Sequence, residues 1–233
     1  MSYFCKVEYR PQAGADIRAL AGMHDNPYLQ HQKLWTLFDQ PQGSERPFVF
    51  HHQLGATSAP TFWVISNLPV RSDAPDWKVR QKAYQPQFAL GHHLAFELRA
   101  NPVLKRKGID EKSRRYDPVA LALKQLPKIE RAQARKDWVL HKLTDWLAAR
   151  SGAYGFEVMI DKTAVARYEQ LRFGKTGSAQ PMQISVVDFV GQLIVTDVAR
   201  FTEVAHKGFG AAKGFGCGAL LLRPVRDSAD AEQ

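Results

Sequence analysis

Cysteine is scarce in this chain of 233 residues, which contains only Cys5 and Cys217. Two cysteines so far apart provide neither a disulfide framework nor the paired spacing of a zinc site. Their scarcity favours a reducing compartment, so we expect a cytoplasmic protein. We also expect no signal peptide, because Lys6 interrupts the first apolar residues too early.

Long hydrophobic runs are also missing. No stretch of about eighteen apolar residues occurs, so the sequence predicts no membrane-spanning helix. Neither a Ser-His-Asp arrangement nor a cluster of paired acids for a two-metal nuclease can be identified. The pairs His51-His52 and His92-His93 have no third ligand at a useful spacing, which argues against zinc. The sequence therefore indicates no metal site.

Positive charge, by contrast, is abundant and concentrated. The net charge is +9, and the segment from Arg99 to Lys136 contains twelve Lys and Arg against four Asp and Glu. Such a concentration indicates a polyanionic partner such as a nucleic acid, although a solvated loop and helix face would have the same composition. Within this segment, Arg99, Lys105 and Arg106 are candidate RNA contacts.

The order of the predicted elements is similar in the two halves of the chain. In the first half we predict strands and helices, in chain order, at Phe4–Tyr9 (strand), Asn26–Phe38 (helix, opened by an Asn-Pro cap), Phe48–His52 and Phe62–Ser66 (strands) and Trp77–Ala89 (a weaker helix). In the second half we predict His93–Arg99 (strand), Asn101–Tyr116 (a basic mobile loop), Ile129–Arg150 (helix), Gly155–Asp161 and Gln183–Thr196 (strands), Asp197–Lys207 (helix) and a final strand. Two βαββαβ-like patterns predict an α+β protein with tandem ferredoxin-like domains, residues 1–90 and 91–225, followed by a tail at 226–233.

A glycine-rich segment precedes the last predicted strand. Gly208, Gly210, Gly216 and Gly218 form two Gly-hydrophobe-Gly clamps on either side of Lys213. Glycine lets the backbone approach a ligand closely, so this loop suggests a phosphate-bearing partner. Because a helix precedes the loop and a strand follows it, it matches neither the dinucleotide fingerprint nor the P-loop. The alternative is a flexible helix-to-strand connection in which Gly208 ends the helix.

Tyr28 and His31 lie three residues apart on one face of the first predicted helix, close to its N-terminus. A helix N-terminus attracts phosphate. An imidazole and a phenol at such a place fit metal-free RNA cleavage, in which one group takes a proton from a ribose 2′-OH and another donates one to the leaving 5′-oxygen. The alternative is a core histidine, because His31 falls between Leu34 and Trp35 on the helix.

A predicted hairpin tip at residues 166–177 mixes cations with aromatic residues. Its cations are Arg167, Arg172 and Lys175. Such side chains in a groove contact phosphates or guanine edges. An ordinary exposed hairpin has the same composition, so the pattern alone leaves both interpretations open.

Several segments together resemble the CasE family, the endoribonucleases that process precursor crRNA in type I-E Cascade. The likeness rests on the helix from Tyr28 to Phe38, on Leu98–Pro102 and on Ala212–Gly218. The doubled glycine clamp, with five residues between its halves, is also similar to that of the repeat-associated CRISPR proteins. These segments occur in the family's order and extend the likeness from the first strand to Leu222.

The resemblance implies tandem ferredoxin-like domains with an RNA-binding surface between them. It implies metal-independent cleavage, without any cofactor, at the 3′ base of a repeat stem-loop. Its implied partners are the CRISPR repeat RNA, as precursor and mature crRNA, and other Cascade subunits, notably the CasC backbone subunit. By position, His31 matches the catalytic histidine and Tyr28 the accompanying tyrosine, while Arg167, Arg172 and Lys175 match a basic hairpin in the RNA groove. The alternative is a non-catalytic RNA-binding subunit of the same superfamily.

Overall fold

The computed structural model describes residues 1–11, 17–41, 44–53, 59–107, 113–174, 177 and 180–225. The chain forms two compact units. The first contains residues 1–87, 171–184 and 203–219, and the second contains residues 88–170, 185–202 and the chain from 220 onward. The predicted domain boundary near residue 90 lies close to residues 87 and 88, where the chain first passes from one unit to the other. The division into two consecutive domains stays a prediction. The predicted tail at 226–233 lies outside the described residues.

The first unit contains a four-stranded antiparallel sheet. Its elements in chain order are β1 (Tyr3–Tyr9), α1 (Ile17–Asp25), α2 (Pro27–Trp35), β2 (Phe48–Gln53), β3 (Thr61–Ser66) and β4 (Trp77–Ala83). The strands lie in the order β2-β3-β1-β4, and every neighbouring pair is antiparallel. This is the strand order of a ferredoxin-like fold, as expected. The structure adds α1, which the sequence patterns did not indicate.

The predicted helix over Trp77–Ala89 is wrong. Residues Trp77–Ala83 form the edge strand β4, paired with β1 along its whole length. Trp77 and Val79 point to one face of the sheet, and cations occupy the positions between and after them. This period of two is that of a strand, and lysines on an edge strand discourage pairing with a further strand.

The hydrophobic core of the first unit lies between one face of the sheet and α2. The buried residues that meet there are Cys5, Val7, Phe50, Phe62 and Val64 from the sheet and Leu34, Trp35 and Leu37 from α2 and the turn after it. Burying each large apolar side chain contributes roughly 1.5–3 kcal/mol. The packing therefore holds α2 firmly against the sheet, so the face that carries Tyr28 and His31 has a fixed orientation.

The second unit is built on a second antiparallel sheet. The remaining elements of the chain are β5 (His93–Ala100), β6 (Leu104–Lys107), β7 (Ser113–Tyr116), α3 (Pro118–Lys124), α4 (Glu130–Ser151), β8 (Phe156–Val158), β9 (Ala164–Phe173), β10 (Met182–Val195), α5 (Val198–Lys207) and β11 (Leu220–Pro224). The strands lie in the order β11-β5-β10-β8, and β9 also pairs with β10. This repeats the ferredoxin-like order with an added hairpin, which confirms the tandem fold class. No helix in the described ranges is both long and apolar enough to cross a bilayer.

The predicted mobile loop over Asn101–Tyr116 is wrong at Leu104–Lys107 and Ser113–Tyr116, which form strands, while residues 101–103 have no regular secondary structure. Strands β6 and β7 pair as an antiparallel ribbon, in which Lys105 lies opposite Arg115 and Arg106 lies opposite Arg114. Residues 108–112, between the two strands, lie outside the described part. Cations directly opposite one another disfavour pairing of the two strands; at one end of the ribbon the apolar pair Leu104 and Tyr116 offsets part of this repulsion.

Arg99, a candidate RNA contact, is buried in the second sheet and has a structural role. It is 6% exposed. Its Nε and Nη2 donate to the two carboxylate oxygens of Asp188 at 2.7 and 2.8 Å across the β5–β10 ladder. A guanidinium held in this way is not available to an RNA backbone, so Arg99 is not part of the RNA surface proposed below.

The substitution Asp188→Ala tests this role. It leaves the buried guanidinium without its carboxylate, so we expect the free energy of unfolding to fall by about 3 kcal/mol or more in urea denaturation. A matched control is Glu97→Ala, which removes the exposed partner of Arg223 (3.0 Å) in the same sheet and is expected to cost about 1 kcal/mol or less. Equal losses in the two variants would contradict a structural role for Arg99.

Candidate active site

Helix α2 begins with a capped turn. The side-chain oxygen of Asn26 accepts hydrogen bonds from the backbone N–H groups of Tyr28 (3.0 Å) and Leu29 (3.2 Å), and Pro27 occupies the first helical position. Such a cap stabilises a helix by about 1 kcal/mol. It also occupies two of the N-terminal amides through which a helix would otherwise bind phosphate. Side chains rather than these amides are therefore the groups available for a phosphate near α2.

His31 lies on α2 with its ring among aromatic neighbours. The ring stands edge-on to Trp35 at a centroid distance of 5.5 Å and is tilted against Phe48 at 5.6 Å. Its Nε2 atom is shielded from solvent and has no hydrogen-bond partner among the described residues. A buried ring nitrogen without a partner is unusual in a folded protein, and it marks His31 as more than a filler of the core.

The protonation of His31 is set by its surroundings. Burial, together with the smaller effect of the positive charge of Arg46, lowers the pKa of the imidazole from 6.5 to about 4. The ring is therefore neutral near neutral pH and becomes charged only as the pH falls through about 4. A neutral imidazole is the form that takes up a proton.

Arg46 is a site residue that the sequence patterns did not reveal. It lies just before β2, and its Nε donates to the carbonyl of Phe48 at 2.7 Å. That bond fixes the guanidinium and leaves its other nitrogens directed elsewhere. Burial lowers the pKa of the guanidinium, yet arginine stays charged in proteins. The structure thus places a permanent positive charge near the neutral ring of His31.

Tyr28 lies one turn before His31 and is partly buried. Its hydroxyl oxygen accepts a hydrogen bond from Nε2 of Gln32 at 3.1 Å. This bond holds the phenol on the surface of α2. The structure therefore keeps Tyr28 and His31 on one fixed helix, as the spacing in the sequence predicted.

The glycine-rich segment closes into a loop within the first unit. Gly208 has φ +79° and its N–H bonds to the carbonyl of Val204, so it ends α5 in the left-handed conformation. The N–H of Phe209 donates to the carbonyl of Gly218 at 2.8 Å and joins the two ends of the loop. The prediction that Gly208 ends the helix is therefore confirmed, and the interpretation of the loop as a contact to a phosphate-bearing partner stays a prediction.

A short 3₁₀ turn at Lys213–Phe215 brings the loop to the site. A Cβ atom placed on Gly214 would lie 3.4 Å from Nη1 of Arg46 and 4.0 Å from Nε2 of His31. The ring of Phe215 packs against Phe173 at 5.2 Å. The bare backbone of Gly214 therefore approaches both the histidine and the arginine.

Lys213 projects from this turn and is half-buried. Its Nζ donates to the carbonyl of Lys207 at 2.8 Å, at the C-terminal end of α5. Burial lowers its pKa, and the positive charges of Arg46 and Lys207 lower it further. Three cations of the first unit are therefore close enough to repel one another, which favours an anion among them.

These cations line a cleft of about 380 Å³. We call it the Arg46 cleft and define it by six of its lining residues, Arg46, Phe48, Asn67, His206, Lys207 and Lys213. All six belong to the first unit. The cleft has the size of a small-ligand pocket and combines an apolar wall with positive charge.

The remaining predicted site residues are divided between the units. Arg172 is exposed at the end of β9 in the first unit, where Asn26 donates to the nearby carbonyl of Gly174 at 3.4 Å. Lys105 and Arg106 are exposed on β6, and Arg167 is exposed and paired with Glu169, all in the second unit. Lys175 lies outside the described residues.

The described residues contain no group of three or more His, Cys, Asp or Glu side chains that could hold a metal ion. Both cysteines, Cys5 and Cys217, are buried and free. The side chains around His31 are the aromatic rings of Trp35 and Phe48 and the cation Arg46, which are poor ligands for Mg²⁺ because that ion prefers carboxylate and carbonyl oxygen.

Comparison with known proteins gives consistent matches along the chain. The profile of a family described as CRISPR associated protein matches residues 2–224. The Cascade subunit CasE of Escherichia coli K12 is 29% identical over 201 residues, which cover 85% of this chain and 92% of that protein. Thermus thermophilus Cse3, bound to an RNA representing a pre-cleavage complex, superposes with a TM-score of 0.70 at 20% identity and covers 96% of this chain and all of that one. Cas6e of E. coli K-12 gives a TM-score of 0.60 at 23% identity, over 96% of this chain and all of that one.

The two ferredoxin-like sheets, with a neutral histidine set among cations, define a tandem ferredoxin-like protein suited to a phosphate-bearing ligand. The solved structures establish the same fold, and the family profile covers nearly the whole chain. The chain belongs to the CRISPR-associated protein family.

The glycine loop provides a test of how the site is built. Gly218 has φ +93°, and a Cβ there would lie 2.5 Å from the carbonyl oxygen of Phe209. We therefore expect Gly218→Ala to lower the free energy of unfolding by about 3 kcal/mol, through backbone strain and a clash together. Gly210→Ala is the matched control, because Gly210 also has a positive φ (68°) but a Cβ there would meet nothing within 4 Å; it should cost about 1 kcal/mol. Thermal unfolding of both variants measures the difference, and equal losses would contradict the close packing described for the loop.

Proposed function

We propose that this protein is an endoribonuclease that cleaves CRISPR precursor RNA at the 3′ base of the repeat stem-loop and keeps the crRNA as a subunit of Cascade. Membership of the CRISPR-associated family supports this proposal, as does the similarity to CasE, a Cascade subunit, and to Cse3, named as a CRISPR endoribonuclease bound to RNA. The observation that carries it is the neutral, solvent-shielded Nε2 of His31 beside Arg46 and the turn that bears Lys213.

The reaction is an attack of the ribose 2′-OH on the adjacent phosphorus. The proton of the 2′-OH goes to the general base, a new P–O2′ bond forms, the P–O5′ bond breaks and the 5′-oxygen receives a proton from water. The products are a 2′,3′-cyclic phosphate, which water opens to a 3′ phosphate, and a 5′-hydroxyl. His31 serves as the base, since its lowered pKa keeps the imidazole unprotonated near neutral pH. Tyr28, fixed on the same helix, orients the 2′-OH.

Positive charge at the site offsets the charge that grows on the phosphorane. Arg46 suits this role because it is permanently charged and is held by the carbonyl of Phe48. Lys213 adds a second cation from the glycine loop. Such preorganised charge is commonly the largest single contribution to catalysis, because it needs no rearrangement when the reaction occurs.

The shielding of Nε2 means that RNA binding has to open the site locally. The groups beside Nε2 are the guanidinium of Arg46 and the backbone at Gly214. The turn at Gly214 moves aside when RNA binds and uncovers the ring, while the hydrogen bond to the carbonyl of Phe48 keeps the guanidinium of Arg46 in place. In the free protein, water does not reach Nε2 of His31. In the complex, Nε2 contacts the 2′-OH, and competing water is excluded from the site.

The RNA duplex is held mainly by cations outside the site. The β6–β7 ribbon presents Lys105 and Arg106, with Arg115 and Arg114 opposite them. Repulsion between these pairs falls when phosphates lie over them. Arg172 and Lys175 of the hairpin are further candidate contacts to RNA phosphates. Because several phosphates are neutralised, affinity should fall steeply as salt rises.

Cleavage in this proposal needs no metal ion or other cofactor. A metal-free reaction is supported by the residue types of the site, which supply a base and positive charge from side chains alone. A cytoplasmic location, expected from the scarcity of cysteine, stays a prediction. The rival function is that of a non-catalytic RNA-binding subunit. It would account for the glycine loop and the basic surface, but it would not account for the shielded Nε2 and the lowered pKa of His31.

The test is single-turnover cleavage of the cognate CRISPR repeat RNA by His31→Ala. We expect the rate constant to fall by a factor of about 10² to 10⁴ with EDTA present throughout, because general-base catalysis is lost. Binding of the stem-loop should change little, since the cations remain. The matched control is His24→Ala, which removes an exposed histidine of the same unit outside the site and should cleave normally.

Each other outcome has a distinct meaning. Undiminished cleavage by His31→Ala would contradict the assignment of the base. A folded, RNA-bound wild-type protein that cuts nothing, with or without Mg²⁺, would support the non-catalytic rival. Cleavage by the wild type that stops in EDTA and returns with Mg²⁺ would contradict a metal-free mechanism.

A further inference from the structure

The Arg46 cleft has a use beyond the reaction at His31. Arg46 links the two, because its side chain lines the cleft while its Nη1 lies beside Gly214 and near His31. A ligand in the cleft is therefore next to the reacting atoms without occupying them. In a polymer substrate, the group that lies next to the reacting phosphate is the neighbouring nucleotide.

The charge of the cleft favours an anion. Three of its lining residues are cations, Arg46, Lys207 and Lys213, and Glu45 is the acid among the residues that line it. Lys207 also pairs with Glu203 at 3.0 Å, but both side chains are exposed. Exposed pairs of this kind contribute little, so the ammonium of Lys207 is readily redirected to a phosphate.

The remainder of the cleft suits the sugar and base of a nucleotide. Phe48 forms an apolar wall, and Asn67 supplies an amide with both a donor and an acceptor. His206 lines the cleft as well; its Nδ1 is shielded and has no hydrogen-bond partner among the described residues. A volume of about 380 Å³ accommodates one nucleotide but not a duplex.

We propose that the Arg46 cleft is a nucleotide subsite that binds one unpaired RNA nucleotide next to the scissile bond, with its phosphate on Lys207 and Lys213 and its sugar and base between Phe48 and Asn67. The inference rests on the proposed function, since it takes the RNA to be cut at His31. It adds a positioning role. A nucleotide fixed in the cleft aligns the adjoining phosphate for in-line attack.

The experiment is a double-mutant cycle between protein and RNA. The RNA is the cognate repeat with a 2′-deoxy sugar at the cleavage position, so that it binds without being cut. In a series of such RNAs, one phosphate at a time within two nucleotides of the scissile bond is replaced by a neutral methylphosphonate. Dissociation constants are measured for the wild-type protein, for Lys207→Gln and for Lys78→Gln, an exposed cation of the same unit on β4 and outside the cleft.

We expect one phosphate position at which neutralisation weakens wild-type binding about tenfold, as for a charge-assisted hydrogen bond. At that position the same neutralisation should weaken binding of Lys207→Gln by clearly less, about threefold, because one of the two lysine contacts is already lost while that of Lys213 remains. Lys78→Gln should respond as the wild type does. Lys207 is exposed, so its replacement is expected to leave the fold intact, which thermal unfolding checks.

Additive losses at every position would overturn the subsite. An equal reduction of the phosphate effect in Lys78→Gln and in Lys207→Gln would also overturn it, because the loss would then reflect overall charge rather than a specific contact. These results are independent of His31, since the RNA is not cut in any arm. Failure of the subsite is thus distinguishable from failure of the proposed function, which the His31→Ala cleavage assay decides.

Discussion

The close approach of the glycine-rich loop to α2 and β2 is the constraint on which the candidate site depends. A Cβ on Gly216 would lie 3.2 Å from the ring of Phe50, and one on Gly208 would lie 2.9 Å from the carbonyl oxygen of Gly218. The loop can take this path because glycine tolerates positive φ and leaves room for neighbouring backbone. As a result, the turn that carries Lys213 reaches the ring of His31. The doubled glycine clamp therefore positions a cation, Lys213. The proposed catalytic residue, His31, lies on a different element, α2.

His31 combines two properties that ordinarily conflict. It packs between Trp35 and Phe48 like a core residue, and it retains a ring nitrogen with no partner among the described residues. Leaving a polar atom unsatisfied costs about 1–3 kcal/mol. The same burial, with Arg46 nearby, keeps the imidazole neutral. The two interpretations of His31 in the sequence, core residue and catalyst, are thus compatible, because the apolar setting keeps neutral the imidazole that we propose as the base.

The sequence predicted the parts of the site that local patterns encode. The cap at Asn26, the shared face of Tyr28 and His31 and the glycine clamps are all readable from spacing, and the fold class followed from element order. The sequence did not reveal Arg46, because only tertiary packing brings the residue before β2 to His31. The sequence also suggested an RNA contact at Arg99, because it lies at the start of a positively charged segment. The pairing of Arg99 with Asp188, 89 residues away, could not be predicted from local composition.

The most direct test of the central claim is a crystal structure of the protein with its repeat RNA, carrying a 2′-deoxy sugar at the cleavage position. The account predicts that the scissile phosphate lies between His31 and Arg46, with Nε2 of His31 within about 4 Å of the 2′-carbon and a guanidinium nitrogen about 3 Å from a phosphate oxygen. It also predicts that Nε2 is uncovered by displacement of the turn at Gly214. A scissile phosphate bound elsewhere, with His31 still shielded as in the free protein, would contradict the account.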